Sequence, residues 1–162
     1  MLIKPAILLA AFGCGILLTD FLHDRRHKYL NAVTALLGLL FTAIQLALIH
    51  LDMRQAKLAE LPGFDGAIVI DGFALFFCAV FLVATAIAVL FSIRYLEIEN
   101  EHHGEYYALM MFSLVGMYFL ATGMDLVTLF MGLETMALSV YVLAGFLRGD
   151  RRSNEAALKY FL

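Results

Sequence analysis

The sequence predicts an all-α fold: a polytopic transmembrane helical bundle with five full spans, the first half of a sixth, and the N-terminus outside. Three observations carry that prediction. The composition is 63% hydrophobic and 15% charged, with a mean hydropathy of +0.88, against about 45–50% apolar and about 25% charged in soluble domains. The apolar residues fall into runs of about 20, and at about 1.5 Å per residue such a helix covers a hydrocarbon core of about 30 Å. The Lys and Arg residues between the runs are distributed unevenly. Loops after the first, third and fifth runs hold Arg25, Arg26, Lys28, Arg94, Arg148, Arg151 and Arg152, while the opposite side holds Lys4, Arg54 and Lys57. The positive-inside rule puts the first set in the cytoplasm.

Residues 1–162 are read as one integral membrane domain, with spans at about 5–22, 29–51, 72–94, 106–122, 125–147 and 153–162, the last incomplete. The first opens at Pro5, which suits a helix's first turn because no intrahelical N–H bond is lost there. The charged region ahead of it is only Lys4 and AAFGC is a poor cleavage signal, so a mature helix is expected rather than a signal peptide. In the second span the single polar residues Asn31 and Gln45 are expected to bond across helices. Between Asp52 and Asp71, Leu61-Pro62-Gly63 and Asp65-Gly66 are turn signals ahead of the β-favouring run Ala67 to Ile70. A small hairpin-like element on the membrane surface is expected there.

Asp71 is a good N-cap for the third span. Gly123 is placed to close the fourth, and only Met124 then separates it from Asp125, so spans four and five form a tight antiparallel hairpin. Ser153 is the expected N-cap of the sixth helix, with Glu155 favourably placed against its dipole. Ser153 to Leu162 is ten residues, about 15 Å of helix and half a crossing. The chain is therefore expected to be part of a longer protein.

Several metal-like features have simpler readings. Cys14 and Cys78 lie in apolar runs without CxxC spacing and are expected to behave as small buried hydrophobes. His102 and His103 are loop neighbours with no third ligand at a recognised spacing. The six methionines from Met110 to Met136 have no Cys or His joining them in a ligand pattern, and are read as packing. No basic patch for nucleic acid is visible.

The chemistry sits at Glu134, alone in the middle of DLVTLFMGLETMALSVYVLAGFL. A charge at mid-membrane costs about 2.5–3.5 kcal/mol on insertion scales, so such residues are rare and usually serve ion or proton movement. The alternative is a protonated acid hydrogen-bonded to a neighbouring helix as packing glue. On a helical wheel Glu134 shares a stripe with Val127, Phe130, Met131, Ala137, Leu138 and Tyr141. Tyr141, two turns away, is either a relay through water or a packed interfacial ring. Lys159 is the second ionisable group in an apolar segment. Glu155 precedes it by four residues in the favourable order, and a lysine near a helix end can snorkel. Its depth differs from that of Glu134 by about 10 Å, which argues against direct pairing. A carboxyl in low dielectric holds its proton more tightly and a nearby cation loosens it, the physical element of a proton pump.

The segments RYLE, GEYYALMMF, DLVTLFMGLE, YVLAGFLR and SNEAALKYF, in this order from about Phe73 to the end, closely resemble subunit N of the proton-pumping NADH:quinone oxidoreductase, respiratory complex I, in the antiporter-like membrane subunit family. The resemblance implies a fourteen-helix protein with two inverted five-helix repeats. It implies Glu134 as the fifth-helix glutamate and Lys159 as the sixth-helix lysine of proton translocation, with the glutamate's partner lysine on a seventh helix that this chain does not reach. It implies an enzyme subunit, a translocase, in which NADH, flavin, iron–sulfur clusters and quinone belong elsewhere in the complex and no cofactor binds this chain. The implied partners are other membrane subunits of complex I and the lipid bilayer, and the implied location is the bacterial inner membrane. Two alternatives accompany this reading: a subunit of a secondary sodium/proton antiporter, and a structural membrane subunit in which Glu134 is glue.

Overall fold

The computed structural model describes residues 2–22, 29–99 and 103–162. Among them are six helices and one β-hairpin: α1 (Lys4–Leu22), α2 (Tyr29–Ala56), β1 (Glu60–Gly63), β2 (Ile68–Asp71), α3 (Gly72–Glu99), α4 (Gly104–Thr122), α5 (Leu126–Ala144) and α6 (Arg151–Phe161). Helices α1, α2, α3 and α5 are long and apolar enough to cross a membrane. Helix α4 is not in that set. It has 19 residues, but Glu105, Tyr106, Tyr107, Tyr118 and Thr122 dilute its apolar character.

Helix α4 is nevertheless the centre of the bundle. It packs against α1, α3 and α5 and also touches α2 and β2, and Met111, Leu114 and Tyr118 are buried along it. Where lipid tails are as apolar as leucine, helices associate through close packing and polar contacts, which favours small residues at the seams. Ala32, Ala35, Gly38, Ala108, Gly116 and Gly132 are all buried. The outer faces carry large apolar side chains such as Leu18, Phe21, Leu40, Phe76 and Phe91. An apolar exterior around a small-residue interior is the arrangement of an integral membrane protein.

Hydroxyls inside the helices are satisfied locally. Thr42 donates to the Gly38 carbonyl at 2.8 Å, Ser92 to Ala88 at 2.7 Å and Thr122 to Tyr118 at 2.9 Å, as groups removed from water must be. Asn31 bonds across helices as expected: its Nδ2 donates to Asp20 Oδ1 at 2.5 Å. Gly104 of α4 lies against that pair, where an added Cβ would meet Asn31 Nδ2 and the Asp20 Cβ each at 2.7 Å. Gln45 does not follow the expectation. Its Oε1 is buried with no hydrogen-bond partner among the described residues, and the hydroxyl one turn away on the same helix, Thr42, is already committed to Gly38.

The hairpin forms where the turn signals lie. Its strands are antiparallel, pairing Glu60 with Asp71, Leu61 with Ile70, Pro62 with Val69 and Gly63 with Ile68. The tight reversal is made by Phe64, Asp65 and Gly66 at φ of 54°, 53° and 89°. Ile68 and Ile70 are buried, and the Met124 amide donates to the Ala67 carbonyl at 2.9 Å, fastening the hairpin to the α4–α5 turn.

The caps are met in part. Asp71 accepts from the Ala74 amide at 2.7 Å, as expected. Gly123 closes α4 with its amide on Phe119 O at 2.8 Å, yet its φ is −73°. Glycine is needed there for space, because a Cβ would sit 2.7 Å from that same carbonyl oxygen. The cap of α6 is Asp150, accepting from the Arg152 amide at 2.9 Å, and not Ser153. Ser153 lies within the first turn and donates to the Ala144 carbonyl at 2.7 Å, tying the start of α6 to the end of α5. Cys78 is buried as expected, whereas Cys14 lies on the exposed side of α1 and both thiols are free. Arg25, Arg26, Lys28 and His102 lie outside the described residues.

Candidate functional site

Helix α5 starts at a firm cap: Asp125 accepts from the Thr128 amide at 2.6 Å. Those contacts from Thr128 hold the Asp125 carboxyl below the usual carboxylate range. Glu134 is the ninth of the nineteen residues that follow. It is half-buried, and its carboxylate makes no hydrogen bond or ion pair among the described residues.

The face of α5 that meets α4 is built of small residues. Gly132 and Ser139 are its buried positions, and an added Cβ on Gly132 would lie 3.0 Å from both Gly116 O and Leu120 N. Glu134 lies about 140–160° around the helix from these two. The stripe it shares with Val127, Phe130, Met131 and Leu138 consequently points away from α4, and those four are exposed. The carboxylate is presented on the side of α5 opposite the seam with α4.

Tyr141, at the C-terminal end of that stripe, is in contact with α6. Its ring meets those of Tyr160 and Phe161 edge-on, with centroids 5.2 and 5.6 Å away. Tyr160 follows Lys159 directly, so the stripe of Glu134 and the helix of Lys159 are joined by aromatic rings.

Lys159 is paired with Glu155 at 2.7 Å, and the two side chains are 75% and 59% exposed. The pair is the i,i+4 bridge that the sequence spacing suggested. No hydrogen bond or ion pair links Lys159 to Glu134 among the described residues. The structure joins Tyr141 to α6 and leaves Glu134 and Lys159 apart. The Tyr141–Tyr160–Phe161 cluster escaped sequence reading, although three aromatics flanking one interhelix turn were a usable signal. His103 meets Phe146 edge-on at 6.2 Å, and no group of three His, Cys, Asp or Glu able to hold a metal occurs among the described residues.

Comparison with known proteins places these features in a family. Residues 123–162, covering α5 and α6, match the membrane-domain model described as NADH:quinone oxidoreductase/Mrp antiporter. Over 99% of its length the chain is 52% identical to NADH-quinone oxidoreductase subunit N 2 of Solibacter usitatus, covering 33% of that protein. It is 47% identical to subunit N 1 of Koribacter versatilis, with 100% of the chain and 32% of the relative covered. Subunit N of Trichlorobacter lovleyi is 37% identical, with 99% and 31% covered. The chain spans about a third of the length of the curated relatives it matches.

Proposed function

Over the third of their length that it spans, this chain belongs with the N subunits of NADH-quinone oxidoreductases, and from that premise we propose that it forms part of a proton-translocation channel in which Glu134 carries the proton. Helices α1 to α5 cross the bilayer, α6 begins a sixth crossing, and the N-terminus and hairpin lie outside. NADH oxidation and quinone reduction take place in other subunits, on cofactors that this chain does not bind. Its partners are the other membrane subunits of complex I and the lipid of a bacterial inner membrane.

The observation that carries this reading is the carboxylate of Glu134 in the middle of α5, unpaired among the described residues. An acid without a fixed partner can be switched by a mobile one. At an effective dielectric of about 20, a cation moving from about 12 to about 6 Å from a carboxylate gains about 1.4 kcal/mol, a tenfold change in proton affinity. Approach of the cation releases the proton and withdrawal recaptures one. Lys159 is the second ionisable group of the path, held in reserve by its exposed bridge to Glu155.

The test is reconstitution of the full-length subunit in its complex with Glu134→Gln and Glu134→Ala. Normal assembly with proton pumping abolished is expected. Undiminished pumping would remove Glu134 from the path, and loss of assembly with both variants would favour packing glue. A second reading follows from the antiporter half of the matching family description: sodium/proton exchange without redox chemistry. Sodium-driven proton movement in vesicles lacking NADH and quinone would establish it.

A further inference from the structure

Inside the helices a hydroxyl normally donates to the carbonyl one turn back, as those of Thr34, Thr42, Ser92, Thr122, Thr135 and Ser139 do. Thr85 of α3 and Ser113 of α4 are exceptions. Neither hydroxyl makes a hydrogen bond among the described residues, and Ser113 is only 5% exposed. Both line one trough, between α3, α4 and Leu143 of α5. Among the described residues short of full exposure, only Gln45 Oε1 is both sealed off and unpartnered. The Thr85 and Ser113 oxygens, also unpartnered, therefore open on the trough.

Sequence register brings the two together. Ser92 and Tyr106 are hydrogen-bonded across α3 and α4 at 3.4 Å. Seven residues, two turns of helix, lead from Ser92 back to Thr85 and from Tyr106 on to Ser113. In an antiparallel pair both steps run the same way along the seam, so Thr85 and Ser113 face each other as Ser92 and Tyr106 do. Phe81 with Met117 and Ala88 with Met110, one turn to either side, keep the same register and line the same trough.

The level is the middle of both helices: Thr85 is the fourteenth of 28 residues in α3, and Ser113 the tenth of 19 in α4. Hydrocarbon offers a hydroxyl no partner there, and leaving one unsatisfied costs free energy. The surrounding side chains of Phe81, Ala84, Ala88 and Leu143 offer none either. The trough's volume of about 300 Å³ compares with the about 10–15 Å³ that a single water needs by the same measure.

We infer that Thr85 and Ser113 bind water at the middle of the membrane, bridging the two hydroxyls. Each hydroxyl donates one hydrogen bond and accepts two, so the pair supplies the two or more polar partners that hold a water in a protein interior. Leu143 stands nine residues from Glu134, about 180° around α5. The water consequently lies on the opposite side of α5 from that carboxylate, apart from the proposed proton path. The inference rests on the membrane-crossing part of the proposed function.

The test uses the full-length subunit in its complex, reconstituted into vesicles and exposed to an X-ray pulse, which turns water into hydroxyl radicals where the water stands. A membrane-impermeant scavenger on both faces removes the radicals of bulk solvent. Met110 and Met117 line the trough and report by conversion to sulfoxide, read by peptide mass spectrometry. With scavenger present, their oxidation is expected to exceed several-fold that of Met111, which is fully buried and packs towards Gly38 of α2. Combined Thr85→Val and Ser113→Ala, which keeps the shape of both side chains, should bring it down to the Met111 level. Ser113→Ala alone removes one of the two holders and should show the same direction of change if the double variant does not assemble. Met110 and Met117 at the Met111 level in the parent, with and without scavenger, would mean a trough closed dry by hydrocarbon or protein, and would overturn the site. Oxidation unchanged in the variants would remove the hydroxyls as holders of the water. Strong oxidation that the scavenger abolishes would show the trough draining to bulk solvent, and would overturn the membrane-crossing premise instead.

Discussion

Gly116 of α4 and Gly132 of α5 meet at a backbone-to-backbone crossing: a Cβ added to Gly116 would stand 2.4 Å from Met136 N and 2.6 Å from Gly132 O. Backbone cannot step aside as a flexible side chain can. The crossing also sets the rotation of α5, and with it the direction in which Glu134 is presented.

Gly116→Ala is therefore expected to destabilise the α4–α5 pair by about 3 kcal/mol, the upper end of the range for overpacking. Gly38→Ala should cost less, because its added Cβ would meet only side-chain atoms, of Phe12 and Met111, at 2.8–3.0 Å. Thermal unfolding of the two variants in detergent orders them, and a Gly38 variant at least as damaged as the Gly116 variant would contradict the crossing.

Tyr141 holds α6 through its ring. Tyr141→Phe should retain both edge-on contacts and leave stability within about 0.5 kcal/mol, whereas Tyr141→Leu should lose the about 0.5–1.5 kcal/mol of each aromatic pair. Comparison of unfolding midpoints separates the two. If the Phe variant loses pumping while keeping its stability, the hydroxyl serves as a relay and not only as a packed ring.

The Glu155–Lys159 bridge is exposed on both sides, and bridges of this kind are worth about 0–1 kcal/mol. Glu155→Ala should leave stability almost unchanged. Lys159→Ala should reduce pumping if the lysine belongs to the proton path. Equal pumping in the two variants and the parent would assign the bridge to surface solvation alone.

The cap of α5 predicts a pH response. Hydrogen bonds from Thr128 lower the proton affinity of the Asp125 carboxyl in the folded state, so the unfolded chain takes up its proton first as pH falls. The resulting stabilisation is complete above the ordinary aspartate value of about 3.9 and is lost as pH drops through the lowered folded value. Asp125→Asn keeps a capping oxygen but does not titrate. Stability of the parent relative to this variant should fall as the medium is acidified below about pH 4, and a constant difference would exclude the carboxylate cap.

Hydrophobic length, turn chemistry and the cost of buried charge are local properties, and they determined much of this protein from sequence. The apolar runs, the hairpin between Glu60 and Asp71, the Asp71 cap and the singular position of Glu134 were all legible in this way. The SNEAALKYF segment also carried the Glu155–Lys159 pair. Rotation and neighbours were not legible, because helices that are apolar all round carry no stripe to mark an inner face. Only the tertiary structure decided that α4 is central. It alone placed Gly132 and Ser139 at the seam with Glu134 turned from it, left Gln45 Oε1 without a donor among the described residues, and exposed Cys14. It also gave the α6 cap to Asp150 and set Ser153 inside the first turn, donating to the Ala144 carbonyl on α5. In each case the outcome depends on which backbone approaches closely enough, and that distance is set between helices rather than along the chain.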